Sequence, residues 1–205
     1  RDVDVGYGIM GLSIALALQE GCEIVGHVHS DVCSVGEARD RMIATAIAND
    51  CDWLFMSDAD TYTSNGKAVW DMVSHGHKTG VALIGAPCLM RNGHGYNVIL
   101  EEGSGWAKPE QVENQIRNVA MIGSGMIAVN IRWLQENWPE SPWFFEHRPK
   151  GKDVRRIGSD RMFCELLRDK GGQVISYGHL IPKNGGVGAT GHEECDNRER
   201  ERTAA

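Results

Sequence analysis

The sequence has no apolar run near the ~20 residues a membrane-spanning helix needs, and no short hydrophobic stretch of secretory-leader type. A membrane span is therefore not expected. Excess positive charge is also missing: 21 Lys and Arg against 28 Asp and Glu give a formal net charge of −7. Broad coating of nucleic acid or of an anionic membrane is not expected, although a local basic site would not show in this total. The six cysteines, Cys22, Cys33, Cys51, Cys88, Cys164 and Cys195, include no CxxC pair. In a chain with room for a real core they read as reduced thiols of a cytoplasmic protein, not as a disulfide framework or a zinc knuckle. No internal repeat is visible.

What remains is an ordinary globular composition, with 41% apolar and 24% charged residues, which argues against disorder. A chain of 205 residues is one domain. It buries roughly 70% of the surface its unfolded form exposes. Residues 1–192 read as that domain and 193–205 as a charged tail. The chain starts at Arg1 and not at Met, so a trimmed leader would leave no trace. The glycines cluster at 6–11, 85–105, 123–125 and 185–191, where loops can pass close to a ligand.

Periodicity predicts alternating strands and helices in the first third: strands over 2–5 and 23–29, and a helix over 12–19. Ser34 opens S-V-G-E, a capping box for a helix over Glu37–Asn49 with Ala38, Met42, Ala46 and Ile47 at helical spacing. Asp52–Ser57 is a strand-length apolar run expected to be buried on both faces. Further on, helices are expected over Asn65–Ser74 and from Ser159 to the Gly171-Gly172 stop. Strands are expected over Gly80–Ala86, Gln173–Tyr177 and, with a bulge at Gly123–Gly125, Val119–Val129. Arg91–Gly105 reads as a glycine-rich excursion, and Glu136–Lys152 as a polar, proline-containing stretch. The expected fold class is α/β, with a mostly parallel, Rossmann-like central sheet and helices on both faces.

Two motifs compete for the chemistry. Gly6-Tyr7-Gly8-Ile9-Met10-Gly11 is a GxGxxG between a predicted strand and helix, with Asp31 20 residues beyond Gly11. That pattern suits a dinucleotide, the pyrophosphate resting on the helix N-terminus and the acid on a ribose. Asp58-Ala59-Asp60 follows the buried strand directly. Two carboxylates this close repel each other, and a divalent cation with a preference for hard oxygen ligands, Mg²⁺ or Mn²⁺, would relieve them.

The segment from Glu37-Ala38-Arg39-Asp40 through Trp53–Asp60 resembles the nucleotide-sugar half of the GT-A glycosyltransferases. Pro142-Trp143-Phe144, and Gly158-Ser159-Asp160 followed by Phe163-Cys164, resemble the PWF and ED..FC signatures of family 2-like inverting members, phage and bacterial ones included. These matches run from about the second strand to the last. Ser159 stands where the family usually has Glu, and the first strand lacks the family's proline.

The resemblance implies a hexosyltransferase with the GT-A fold, a nucleotide-sugar donor (UDP-sugar), Mn²⁺ or Mg²⁺, and a hydroxyl acceptor such as a glycan or a modified base of phage-type DNA. Asp58 and Asp60 would hold the metal and the ribose-diphosphate, with Asp60 the more direct ligand. Tyr7, Gly8 and Arg39 would lie on the nucleotide side; Arg39 could equally be a surface residue paired with Glu37 or Asp40. Asp160, in the first turn of its helix, would be the general base, the other use of an Asp there being dipole compensation. His192 is the chosen third metal ligand, with His179 and Asn184 as alternatives. Trp106, Trp138 and Trp143 flank the acceptor side, where a Trp can stack on a ring or simply fill the core. An NAD(P)-dependent oxidoreductase is the competing class, but it would need a substrate domain and would leave Asp58, Asp60 and Asp160 without a task. A non-catalytic nucleotide-sugar binding module is the third reading, and Asp160 argues against it.

Overall fold

The computed structural model describes residues 18–23, 35–58, 61–63, 65–90, 95–103, 105–144 and 158–184. The strands expected over 2–5 and 23–29, the GxGxxG turn and the charged tail lie outside the described residues, apart from Glu23. Helix α1 spans Val35–Ala48, as its 3.6-residue pattern predicts, and leads into β1, Trp53–Ser57. There follow β2 (Thr61–Tyr62), α2 (Gly66–Thr79), β3 (Leu83–Gly85), β4 (Val98–Leu100) and the short α3 (Pro109–Val112). The second half contains β5 (Ile116–Ile122), β6 (Met126–Asn130), α4 (Ile131–Asn137), α5 (Ser159–Asp169), β7 (Val174–Tyr177) and β8 (Lys183–Asn184).

Six described strands form one sheet in the order β1-β6-β3-β7-β5-β4, and β2 pairs with β8 separately. Only β3 and β7 run parallel; β1–β6, β3–β6, β5–β7 and β4–β5 are antiparallel. The α/β class holds, but the mostly parallel sheet does not. Parallel neighbours need a crossover of a dozen or more residues. Connection length does not decide it here: β5 and β6, only three residues apart across Gly123–Gly125, are not neighbours, while β4 and β5 pair antiparallel although the 15 residues 101–115 join them. Nor is Val119–Val129 one bulged strand. β5 gives residues 116–118 to β7 and 119–122 to β4, whereas β6 lies between β1 and β3.

Alternation along the strands sends side chains to two cores. Leu83, Ile127, Val129 and Val174 join a cluster with Ile43 of α1, Leu134 of α4, and Phe163 and Leu167 of α5. Ile84, Met126, Ala128 and Ile175 join a second cluster with Val69 and Met72 of α2. A strand period of two thus puts helices on both faces, as expected. Each fully buried aliphatic side chain contributes roughly 1.5–3 kcal/mol. β1 is less buried than its composition suggests: only Met56 is fully enclosed. α2 runs five residues past the predicted Ser74. Its Gly76 reads in sequence as a helix weakness, yet a Cβ there would come within 2.8 Å of Ile84 Cγ2 and 3.0 Å of a Trp53 ring carbon. The missing side chain lets the helix close onto the sheet.

Candidate active site

Arg39 projects from α1 into the protein and is only 6% exposed. Its guanidinium fork spans two carboxylates: Nη2 donates to Asp58 Oδ1 at 2.7 Å and Nη1 to Asp160 Oδ1 at 2.9 Å. The Phe144 ring lies 5.4 Å from the guanidinium carbon and is itself stacked on Phe163 at 4.1 Å. A planar cation with an aromatic face behind it and carboxylates at its edge is the geometry guanidinium favours.

Asp58 follows β1 directly, and its backbone N–H donates to the Gly125 carbonyl at 2.9 Å. Asp160 sits in the first turn of α5. Its Oδ1 also accepts from Ser124 Oγ at 2.6 Å, and its Oδ2 accepts the Ser124 amide at 3.2 Å. The loop between β5 and β6 therefore holds both residues, the Asp58 backbone through Gly125 and the Asp160 carboxylate through Ser124. Sequence reading took Gly123–Gly125 for a bulge and missed Ser124. The flanking glycines were the available signal: a Cβ on Gly123 would lie 2.5 Å from Asn97 Nδ2.

These groups line a cavity of about 250 Å³ together with Asn97, Leu89, Met90, Trp106 and Met121. Of the three tryptophans assigned to the acceptor side, Trp106 lines the cavity and is 46% exposed, whereas Trp138 and Trp143 are core.

Arg39 is not a surface residue paired with Glu37 or Asp40. Glu37 pairs with Arg41 at 2.7 Å. Asp40 Oδ1 accepts the amides of Trp143 at 3.0 Å and Phe144 at 2.8 Å. Burial pushes the Asp40 pKa above the usual carboxylate value, and those two hydrogen bonds pull it partly back. The Pro142-Trp143-Phe144 segment is thereby tied to α1, which places Phe144 behind Arg39.

Tyr7, Gly8, Asp31, Asp60 and His192 lie outside the described residues, as does Ser34 of the expected capping box. The return of β8 sets Asn184 opposite Thr61, three residues after Asp58. His179 is exposed, its ring edge-on to Tyr177 at 5.4 Å.

Among the described residues no three His, Cys, Asp or Glu side chains are grouped to hold a metal. Arg39 also supplies Asp58 with a positive partner that the sequence argument had assigned to a metal alone. Asp58, its side chain 41% exposed, still offers a hard carboxylate oxygen at this end of β1. That chemistry fits Mg²⁺ or Mn²⁺.

No family model matches the chain, and no curated protein matches it. Among solved structures it is similar to the crystal structure of A197 from STIV, with 17% identity, a TM-score of 0.55, and coverage of 82% of this chain and 75% of that one. The two share a fold. Among the described residues no helix is long and apolar enough to cross a membrane.

Proposed function

We propose that the protein is a metal-dependent inverting glycosyltransferase of the GT-A, family 2-like type, moving a sugar from a nucleotide-sugar donor, a UDP-sugar, to a hydroxyl acceptor. One observation carries the reading. Arg39, Asp58 and Asp160, chosen from motifs up to 121 residues apart, meet through a single guanidinium, and the two carboxylates it joins both line one cavity.

Asp160 is the base. Arg39 and Ser124 Oγ fix Oδ1, while Oδ2 carries only the longer bond from the Ser124 amide. Oδ2 takes the proton of the acceptor hydroxyl as that oxygen attacks the anomeric carbon, and a single displacement inverts the centre. Arg39 holds the carboxylate in place against thermal reorientation. Asp58, with Asp60 and His192, would hold the metal, whose role is to neutralise charge on the departing diphosphate.

Calorimetry with UDP and GDP, with and without EDTA, tests the donor side. Binding of one nucleotide that EDTA abolishes is expected. Equal affinity for every nucleotide in both conditions removes the metal role, and micromolar binding of NAD or NADP instead makes the oxidoreductase the better reading.

A further inference from the structure

The cavity beside Asp160 has a lining of two chemistries. Asp58, Asn97, Ser124 and Asp160 bring polar groups to it, and Leu89, Met90, Met121 and Trp106 apolar ones. At about 250 Å³ it is smaller than the ~300–1,000 Å³ usual for sites enclosing drug-sized ligands. That is room enough for one sugar ring.

Trp106 is half exposed, yet its backbone is fixed. It bridges Ile99 of β4, and the next residue anchors the ribbon twice: Ala107 N–H donates to the Val98 carbonyl at 2.8 Å and the Ala107 carbonyl accepts Tyr96 N–H at 2.9 Å. An exposed indole on a rigid ribbon gives a flat apolar surface at low ordering cost. In the same cavity, Asn97 Oδ1 accepts the Cys88 amide at 2.8 Å, which fixes the orientation of the side-chain amide. Its NH₂ group has no partner among the described residues and is available to a hydroxyl.

We infer that this cavity is the acceptor subsite and that it takes a single pyranose ring, its apolar face on Trp106 and its hydroxyl edge toward Asn97, Ser124 and Asp160. The inference rests on the transferase reading for the word acceptor, but the sugar site stands on its own geometry. A pyranose has one C–H face and a rim of hydroxyls, matching a lining that mixes apolar and polar groups.

Saturation-transfer NMR on the full chain, with methyl glycosides of glucose, galactose, mannose and N-acetylglucosamine, tests the subsite. At least one should bind, with transfer strongest to the protons of one ring face. Trp106→Ala should weaken that binding roughly tenfold or more, and Trp106→Phe should retain most of it. Trp106→Leu, which keeps an apolar side chain on the ribbon but no flat face, should lose as much as the alanine variant and covers a folding defect in it. No binding of any glycoside to wild type, or unchanged binding in the alanine and leucine variants, overturns the inference. Binding of thymidine or 5-hydroxymethyl-deoxycytidine in place of the glycosides overturns the sugar class. UDP calorimetry on the same variants separates the two readings. Metal-dependent UDP binding without glycoside binding defeats the subsite and spares the transferase; Trp106-dependent glycoside binding without nucleotide binding does the reverse.

Discussion

Replacing Arg39 by Met removes the one described cation shared by Asp58 and Asp160 while keeping an unbranched chain of similar length against Phe144. Breaking a fully buried ion pair costs about 3–5 kcal/mol, and an exposed pair is worth about 0–1. Here the guanidinium is buried, but the carboxylate side chains are 41% and 30% exposed, so solvent screens part of the loss. The expected destabilisation is about 1–3 kcal/mol, including about 0.5–1 for the contact with Phe144. In a chain of this length that lowers Tm by roughly 2–12 °C. Urea unfolding gives the free energy directly, and a cycle with Asp160→Asn isolates the pair. Arg39→Met combined with Asp160→Asn should cost less than the sum of the two single changes by at least about 0.5 kcal/mol. A single variant within about 0.5 kcal/mol of wild type, or a cycle that is additive, would refute the bridging role.

Asp160→Asn should leave UDP affinity near wild type and lower turnover by roughly 10²–10⁴-fold, read with water as acceptor until a better one is found; full activity removes Asp160 from the mechanism. Asp40 titrates higher folded than unfolded, so it binds more protons in the native state and its stabilising effect is lost as pH rises above about 3.8. Wild-type stability should therefore fall relative to Asp40→Asn on raising the pH from 3 to 6, measured by urea midpoints, and a gap that widens in wild type's favour contradicts the sign. Burial pushes the Cys164 thiol up to about 12, whereas Cys22 is exposed. Iodoacetamide at pH 8 should label Cys22 and spare Cys164 in the folded protein, as peptide mass spectrometry will show.

Local pattern made some elements legible and topology hid others. α1 and α5 carry apolar residues at helical spacing next to clear start or stop signals, and both appear within two residues of the predicted ends. β4 was invisible because three residues, Val98-Ile99-Leu100, sit inside a glycine-rich stretch and are defined only by partners on β5. α4 was missed for a related reason: its seven residues give barely two turns of periodicity. Strand direction is a long-range property. The strand–helix alternation that implied a parallel sheet came from residues 1–57, whereas the described pairings come mainly from residues 83–177.

The site was legible residue by residue, though its wiring was not. Motif position selected Arg39, Asp58 and Asp160, but sequence offered Glu37 and Asp40 as partners for Arg39 because neighbours are all that spacing can propose. Asp40 instead faces the opposite task, receiving two amides from a segment over 100 residues away and so setting Phe144 behind its neighbour's guanidinium. Adjacent residues on α1 thus act as a pair: one positions the aromatic backing, the other bridges the carboxylates. A change at Asp40 should therefore be felt at Asp58 and Asp160 without touching either, because the Phe144 backbone and the Arg39 fork share one helix.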